Sequence, residues 1–298
     1  MTCSVKKCQH RMYGVMDPSK SNCAANPSVD DVRSFWNSHP LMTGELQEEI
    51  GTLAWFRAFD ELQLDDGYLG DTSWVARKDL MDRKVLEIGC GPGFMARQVS
   101  RICSHYTGID LSPRAIELAT IGHQLAGLQG IFQVGNAEAL DFPDAHFDYV
   151  YSIGVIHHTP RTQECVNEIW RVLKPGGHGV VSVYHQKWFF RSVVGFAVLK
   201  GLIKLFHIGI RGRGRESMSS VMTAKDFVRT YDGAANPVGK SYTAGELRVM
   251  FQRFTIEKID LFFLPRRIFP FRLPLWLHRF LARRWGLMIN VYFSKPRV

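Results

Sequence analysis

The stretch from residue 83 to residue 185 alternates short apolar runs with amphipathic segments, and this alternation constrains the fold more than any other feature. Short apolar runs bounded by turn residues are typical of buried strands, and the amphipathic segments between them have the spacing of helices. Strands that alternate with helices build βα units, whose strands lie parallel in one sheet. The sequence therefore predicts an α/β domain around a mainly parallel sheet.

The same reading extends to the C-terminal part of the chain. Strands are expected at 84–89, 106–110, 131–136, 147–154, 179–185, 255–264 and 288–295. Helices are expected at 94–103, 112–127, 161–173 and 243–254. One sheet of seven strands therefore accounts for the chain from residue 83 onward, apart from one long insertion.

The rest of the chain is arranged around this core. The N-terminal residues are polar and aperiodic, which predicts a disordered or loosely attached tail. Helical patterns follow, with aromatic residues that include Phe35 and Trp36, and we expect them to form a lid. The insertion between the fifth and sixth strands contains Tyr231 and is expected to cap a site. The tail, lid, core, cap insertion and C-terminal completion of the sheet are predicted at 1–28, 29–82, 83–185, 186–241 and 242–298.

The net charge is compatible with several kinds of partner and does not select one. The formal net charge is +9, and the excess lies in the C-terminal part, for example at 211–215 and 278–284. Such an excess fits a nucleic acid, an anionic membrane or an acidic substrate, and it equally fits a solvated basic face. Residues 189–210 are the most apolar window, but charged residues interrupt it before it reaches the ~18–20 residues of a spanning helix.

The cysteines indicate a compartment rather than a site. Six cysteines form no CxxC pair and no zinc-ligand spacing, so we expect neither a metal nor a disulfide framework. Free thiols fit a reducing compartment and no apolar signal segment is present, which favours a cytoplasmic protein. Apolar and basic residues are mixed at 269–285 as in helices that lie on membranes, so peripheral membrane contact is a further hypothesis.

A glycine-rich turn follows the first strand, in the segment VLEIGCGPGF. It places Gly89, Gly91 and Gly93 between a strand and a helix, where the backbone must turn tightly and approach a ligand closely. Asp110 ends the next strand, 21 positions after Gly89, where a carboxylate can accept hydrogen bonds from two ribose hydroxyls. The pattern serves NAD, FAD and S-adenosylmethionine alike.

Two residues argue against a dinucleotide. The dinucleotide pattern needs a third glycine at position 94, and that residue is Phe94. Glu87 stands two residues before the first glycine, where its charge opposes a pyrophosphate but favours a ligand with an ammonium and a sulfonium. The turn therefore favours S-adenosylmethionine over NAD.

Four ordered segments carry a family resemblance. VLEIGCGPG, YTGIDLSPRAIELA, VGNAEALDFPDAHFDYVYSIGVIHHTP and EIWRVLKPGGHGVVSVYH resemble successive motifs of class I S-adenosylmethionine-dependent methyltransferases, above all those that act on small molecules, such as quinone-biosynthesis enzymes. The resemblance covers 83–185 closely and 241–298 loosely. It implies a Rossmann-like seven-stranded sheet of order 3-2-1-4-5-7-6 with the last strand antiparallel. It also implies S-adenosylmethionine as methyl donor and S-adenosylhomocysteine as product.

The resemblance further implies roles for matching positions. Asp110 would bind the ribose, Asn136 and its neighbour would read the adenine edge, and the glycine turn would surround the methionine portion. The family often has Asp where Asn136 stands, and Asn keeps an acceptor oxygen but not the charge. The implied cofactor-binding residues are Glu87, Gly89, Cys90, Gly91, Gly93, Asp110, Leu111, Asn136, Ala137, Ser152, Ile153 and His157.

Methyl transfer by in-line displacement needs an acceptor held opposite the S–methyl bond, and a general base only where the acceptor is weakly acidic. Candidates for such a base follow strands four and five, where a doubly wound sheet opens its cleft. They are His157, Tyr184 and His185, with His158 beside them. Phe35, Trp36 and Tyr231 are the candidate lid and substrate contacts. The expected acceptor is a small molecule, with a lipophilic one among the candidates.

Three other functions are kept as alternatives. A nucleic-acid or protein methyltransferase fits the positive charge, but strand four is followed by SIGVIHH and not by the Pro-Pro motif of base-amine methyltransferases. A non-catalytic membrane-surface binding protein fits the mixed segment at 269–285. An NAD-linked oxidoreductase is disfavoured by Phe94 and Glu87.

Overall fold

The computed structural model describes residues 27–41, 46–65, 80–103, 105–187, 194–195, 197–198, 201, 223–264 and 273–297. Residues 1–26 of the predicted tail lie outside the described residues, as does most of the predicted cap insertion, with the basic run at 211–215. The statements below concern the described residues.

Eight strands and eight α-helices are described. The strands are β1 Lys84–Ile88, β2 His105–Asp110, β3 Ile131–Val134, β4 Phe147–Ile153, β5 Leu173–His185, β6 Ser241–Tyr242, β7 Thr255–Phe262 and β8 Met288–Ser294. The helices are α1 Val29–Ser38, α2 Leu53–Asp65, α3 Phe94–Val99, α4 Pro113–Leu125, α5 Thr162–Val172, α6 Ala224–Thr230, α7 Ala244–Met250 and α8 Leu275–Trp285. A short 3-10 turn at Ile156–His158 follows β4.

One sheet joins the strands in the order β3-β2-β1-β4-β5-β8-β7, with the two-residue β6 paired to β5. This confirms the predicted order, because β8 and β7 are the predicted seventh and sixth strands. β8 runs antiparallel to both of its neighbours, and the pairs from β3 to β5 are parallel. The fold is therefore the Rossmann-like α/β architecture that the βα alternation predicts.

The central strands are buried on both faces, as their continuous apolar runs predict. In β1, Val85 belongs to one hydrophobic cluster, while Leu86 and Ile88 belong to another. Side chains alternate between the faces of a strand, so these two clusters cover opposite faces of the sheet. The polar side chains of a binding site are therefore expected at the carboxyl ends of the parallel strands.

Some predicted bounds are corrected by the structure. The helix expected at 94–103 is shorter in the structure, where α3 ends at Val99. The fifth strand was expected from residue 179, but β5 begins at Leu173, which pairs with Phe147. Pro175 accounts for the early end of α5, because a proline disfavours helical backbone at the residue before it. The predictions for the other elements differ by a few residues at each end, while β6 and α6 were not predicted.

The N-terminal helices are fixed to the core by specific polar contacts. α1 begins with a capping box, in which Ser28 and Asp31 satisfy each other's backbone amides. The Asn37 side-chain oxygen accepts hydrogen bonds from the hydroxyl of Ser112 at 3.2 Å and from the amide of Arg114 at 3.1 Å. α1 is thereby held against the start of α4, and this contact places Trp36 over the carboxyl ends of the strands.

Candidate active site

One cavity lies at the carboxyl ends of β1, β2, β4 and β5, where the doubly wound fold predicts a ligand. Its volume is about 1340 Å³, part of it open to solvent. The structure brings together most of the predicted residues here: Trp36, Gly89, Gly91, Asp110, Leu111, Asn136, Ala137, Ile153, Tyr184 and Tyr231. The predicted residues that do not line it are Phe35, Glu87, Cys90, Gly93, Ser152, His157 and His185.

The glycine turn is tied to the neighbouring strand. The amides of Gly89 and Cys90 donate hydrogen bonds to the carbonyl of Ile109, at 2.7 and 2.9 Å. Both Gly89 and Gly91 have positive φ, a conformation that other residues rarely adopt. A side chain at Gly89 would overlap Val155, whereas a Cβ at Gly91 would meet no atom within 4 Å. Gly91 therefore leaves open space in the wall of the cavity, as a close-fitting ligand requires.

The Asp110 carboxylate is fixed by backbone donors. One oxygen accepts from the amide of Gly91 at 2.9 Å, and the other accepts from the amide of Ser112 at 2.8 Å. Burial raises the pKa of this carboxyl, and the backbone hydrogen bonds oppose the rise. Each carboxylate oxygen has a second lone pair, so the group can still accept hydrogen bonds from a ligand.

Asn136 lies across the cavity from the glycine turn, at the end of β3. Its side-chain oxygen accepts from the amide of Glu138 at 3.0 Å, which fixes the orientation of the amide group. The amide of Gly135 donates to the carbonyl of Asp110 at 2.9 Å and joins this loop to β2. Asn136 and Ala137 thus stand on a rigid edge next to Asp110, and their role in reading an adenine remains a prediction.

Glu87 lies beneath the turn and not in the cavity wall. Its carboxyl accepts hydrogen bonds from the phenol of Tyr106 and from that of Tyr151, the latter at 3.3 Å. Burial raises the pKa of Glu87 to about 8, although the two hydrogen bonds act in the opposite direction. The expected contact between this carboxylate and a ligand's ammonium remains a prediction. In this structure the carboxyl accepts hydrogen bonds from the two tyrosines instead.

The two histidines of the 3-10 turn have different surroundings. His157 is fully buried, and neither ring nitrogen has a hydrogen-bond partner among the described residues. Burial lowers the pKa of His157 well below its ordinary value, so the ring is neutral. His158 lines the cavity and contacts Asp232 through Nε2 at 3.2 Å. Of the two neighbours, the structure therefore presents His158 to a substrate.

Asp232 is the functional candidate that the sequence did not indicate. It lines the cavity, and its Oδ2 accepts a hydrogen bond from the phenol of Tyr184 at 2.6 Å. It belongs to the segment YDGAANP, which the sequence assigns only to the cap insertion. A single Asp in such a segment has no motif spacing, so no local signal could have found it.

The other predicted residues lie near the site but do not line the cavity. Gly93 caps the start of α3 in left-handed conformation, while Phe35 and Cys90 are buried. Ser152 is fully buried, and its hydroxyl has no partner among the described residues. Burial lowers the pKa of His185 to about 4. None of these four side chains is presented to the cavity.

Among the residues that the structure describes, no group of three or more metal-ligating side chains occurs. No helix in the described part of the chain has the length and apolarity needed to cross a bilayer.

Residues 86–181 match the family model of a methyltransferase domain. These residues contain β1, the glycine turn, Asp110, Asn136 and the 3-10 turn. The chain therefore carries a methyltransferase domain over these residues. Such a domain implies S-adenosylmethionine as cofactor, and the cavity lies at the carboxyl ends of the strands, where a doubly wound sheet binds ligands.

Two curated relatives of the methyltransferase domain are similar over part of their lengths. The chain is 39% identical over 108 residues to a fatty-acid O-methyltransferase of Mycolicibacterium smegmatis. This match covers 36% of this chain and 39% of that protein. It is 35% identical over 159 residues to a phthiotriol/phenolphthiotriol dimycocerosates methyltransferase of Mycobacterium leprae. This second match covers 48% of this chain and 57% of that protein. The matches therefore span less than two thirds of these relatives.

Among solved structures, the cyclase SpnF superposes with a TM-score of 0.53 at 19% identity, covering 91% of this chain and 97% of that one. At this identity the likeness concerns the fold alone. Because a protein named as a cyclase shares the fold, the reaction must be argued from the site and not from the architecture.

Proposed function

We propose that this domain binds S-adenosylmethionine in the cavity and transfers its methyl group to a small lipophilic acceptor. The observation that carries the proposal is the fixed Asp110 carboxylate beside the open position at Gly91. A carboxylate held by two backbone amides is preorganised to accept from the two hydroxyls of a ribose. The open backbone next to it allows the rest of the nucleoside to approach closely.

The residues present fit the methyl donor. Asp110 would hold the ribose, Leu111 would pack on the adenine, and Asn136 and Ala137 would face its edge. Ile153 and the turn after β4 line the part of the cavity beyond the glycine turn. When bound, the donor supplies a sulfonium methyl group that is ready for displacement, while the protein orients the acceptor and excludes water.

Much of the cavity wall is apolar. Val32, Leu41, Phe263 and Met288 line it, together with Trp36. Apolar walls with a few polar groups are typical of sites for lipophilic ligands. The two curated relatives are named for a fatty acid and for phthiotriols, which supports the same class of acceptor. Neither name supports a nucleic-acid or protein acceptor.

Calorimetry on the full chain tests the donor site. We expect S-adenosylmethionine and S-adenosylhomocysteine to bind the wild type, and NAD not to bind. Asp110→Ala should weaken S-adenosylhomocysteine binding on the order of 100-fold, because two charge-assisted hydrogen bonds are lost. Asp141→Ala removes an exposed carboxylate outside the cavity and is the matched control, expected to bind as the wild type does.

Two further measurements make that experiment decisive. Asp110 also holds two backbone amides, so urea unfolding must show that Asp110→Ala is folded under the conditions of the titration. Asp110→Asn keeps one acceptor oxygen and should lie between the wild type and the alanine variant. If the folded wild type binds neither the methyl donor nor its demethylated product, the proposed function is wrong.

We further propose that α8 makes peripheral contact with an anionic membrane, from which a lipophilic acceptor would be taken. Trp276, Phe280 and Trp285 are 71%, 61% and 60% exposed on this helix. Arg279 and Arg283 are exposed beside them. Exposed aromatic side chains interleaved with arginines suit a headgroup boundary, where each arginine contributes about 1 kcal/mol of attraction to anionic lipid.

Vesicle cosedimentation tests this contact. The full chain should sediment with vesicles of phosphatidylcholine and phosphatidylserine at low salt, and less at high salt. The double substitution Trp276→Ser and Phe280→Ser should reduce sedimentation, whereas Val249→Ser, which changes an exposed apolar residue on α7, should not. Equal sedimentation with pure phosphatidylcholine, or none with either lipid, would contradict the proposed contact. The cytoplasmic location remains a prediction.

A further inference from the structure

Three polar side chains from separate segments meet in the cavity wall. They are His158 from the 3-10 turn, Tyr184 from β5 and Asp232 from the loop after α6. The phenol of Tyr184 donates to Asp232 Oδ2 at 2.6 Å, and His158 Nε2 lies 3.2 Å from the same oxygen. The lid residue Trp36 covers this cluster, with its ring centroid 5.2 Å from that of His158.

Two contacts fix the orientation of the His158 ring. Its Nδ1 lies 2.7 Å from the carbonyl oxygen of Val238 and 3.4 Å from the side-chain amide nitrogen of Asn236. Its Nε2 faces Asp232 Oδ2 at 3.2 Å. The imidazole is therefore held beside the carboxylate.

The loop that carries Asp232 is firmly held. The Lys240 ammonium donates to the carbonyls of Thr159 and Pro160, at 2.9 and 2.7 Å, and the Lys240 amide donates to the carbonyl of His157 at 3.1 Å. Arg229 donates to the carbonyl of Asn236 at 2.6 Å. The Lys240 bonds join the loop to the 3-10 turn and the residues after it, and the Arg229 bond joins the loop to α6. Asp232 is therefore held beside His158.

We propose that Asp232 is the catalytic base of this site and that the acceptor presents a neutral O–H group, as a phenol or an alcohol does. This inference rests on the proposed methyl transfer and specifies its acceptor atom. Asp232 lines the cavity, so the hydroxyl of a bound acceptor can donate to its carboxylate. A carboxylate acceptor would place a second acceptor group against Asp232 and would be disfavoured. His158 and Tyr184 act as positioning residues for the carboxylate.

The step balances in atoms and charge. The acceptor oxygen forms the new O–CH₃ bond, the donor's S–CH₃ bond breaks, and its electron pair remains on the sulfur. The hydroxyl proton passes to Asp232. The sulfonium becomes a neutral thioether and the Asp232 carboxylate becomes a neutral acid, which afterwards releases the proton to solvent. No oxidant, reductant or metal is needed for this balance.

A matched series of ligands tests the acceptor class. We would titrate 4-octylphenol and 4-octylbenzoic acid into the full chain saturated with S-adenosylhomocysteine. The phenol should bind at least 10-fold more tightly than the benzoate, and Asp232→Asn should remove this preference. If the benzoate binds as tightly as the phenol, if neither binds, or if Asp232→Asn keeps the preference, the inference is wrong.

Methyl transfer to 4-octylphenol tests the role of Asp232 directly. Asp232→Asn should lower kcat by about 10²–10⁴-fold, the range typical of a lost general base, with a much smaller change in KM. Tyr184→Phe should lower kcat less, because the carboxylate remains. The control Asp141→Asn makes the same change on the surface and should leave kcat unchanged. An Asp232→Asn variant as active as the wild type would overturn the assignment.

Binding of S-adenosylhomocysteine separates this inference from the proposed function. Asp232→Asn should bind it as the wild type does, which also shows that the variant is folded. If the wild type does not bind it, methyl transfer itself fails. If it binds and the phenol preference is absent, only the assignment of Asp232 and of the acceptor class fails.

Discussion

The phenol of Tyr106 donates a hydrogen bond to the carboxyl of Glu87 across neighbouring strands of the sheet. Tyr151, on the strand at the other side of β1, donates to the same oxygen. Both phenols are buried, and the pKa of each is raised well above its ordinary value by that burial. Burial stabilises the protonated form of Glu87, and the hydrogen bonds from the two phenols oppose this effect.

Glu87 should make the stability of the protein depend on pH. Its pKa of about 8 when folded lies above the ~4.3 of a free glutamate, so the folded chain keeps a proton that the unfolded chain releases. The free energy of unfolding should therefore fall as the pH rises from about 4 to 8. Urea unfolding of the wild type and Glu87→Gln at several pH values measures this loss, on the order of a few kcal/mol.

Glu87→Gln cannot titrate, so its unfolding free energy should change less between pH 6 and 8 than that of the wild type. The exposed residue Glu61 on α2 provides the matched control, since Glu61→Gln should keep the slope of the wild type. Equal slopes for the wild type and Glu87→Gln would show that Glu87 is ionised in the folded state.

Gly89 and Gly91 should respond differently to the same substitution. Gly89→Ala places a Cβ against Val155 at positive φ, so it should lower the free energy of unfolding by about 2–4 kcal/mol. Gly91→Ala meets open space, so its stability cost should be only about 1–2 kcal/mol, from the left-handed backbone. It should instead weaken S-adenosylhomocysteine binding. Chemical unfolding and calorimetry on both variants distinguish the two effects; a reversed order would show that Gly91 does not face the ligand.

His157→Leu and His158→Leu make the same change at adjacent buried positions. His157 has no hydrogen-bond partner among the described residues, so its loss should change the free energy of unfolding by less than about 1 kcal/mol. In His158→Leu, the Val238 carbonyl and the Asp232 carboxylate both lose their contact with the imidazole. This loss should lower the free energy of unfolding by about 2–4 kcal/mol. Urea unfolding at pH 7 gives both values. Equal losses would mean that the His158 contacts contribute nothing measurable.

The ion pair between Arg97 and Asp60 should anchor α2 to the core. Arg97 is almost fully buried, donates to Asp60 through Nε at 2.9 Å, and lies over the ring of Phe56. Arg97→Met should cost about 3–5 kcal/mol, because a partly buried carboxylate loses its partner. The double variant Asp60→Leu, Arg97→Met should recover part of this loss.

The exposed pair of Arg33 and Asp30 on α1 is the control for that prediction. Arg33→Met should cost less than about 1 kcal/mol, since water screens both charges. If Arg97→Met costs no more than Arg33→Met in urea unfolding, the buried pair does not anchor the helix.

The glycine turn and Asp110 were predictable because their signal is local. A strand, a tight turn and a helix within about 30 residues bring Gly89, Gly91 and Asp110 together in any fold that forms the unit. The strand order, which the structure confirms, was implied by the family resemblance of these segments. The bounds of β5 were not predictable, because its first residues are defined by pairing with Phe147 on another strand.

By itself, the sequence determined the α/β core, the glycine turn that lines the cavity and the acidic residue at the end of β2, since these follow from residue spacing along one continuous segment. Only the tertiary structure decided that Glu87 lies between two tyrosines, that His158 and not His157 faces the cavity, and that Asp232 joins it. The physical reason is that burial and side-chain direction depend on packing between distant segments. Asp232 lies 74 positions after His158 along the chain, yet its carboxylate lies 3.2 Å from the imidazole.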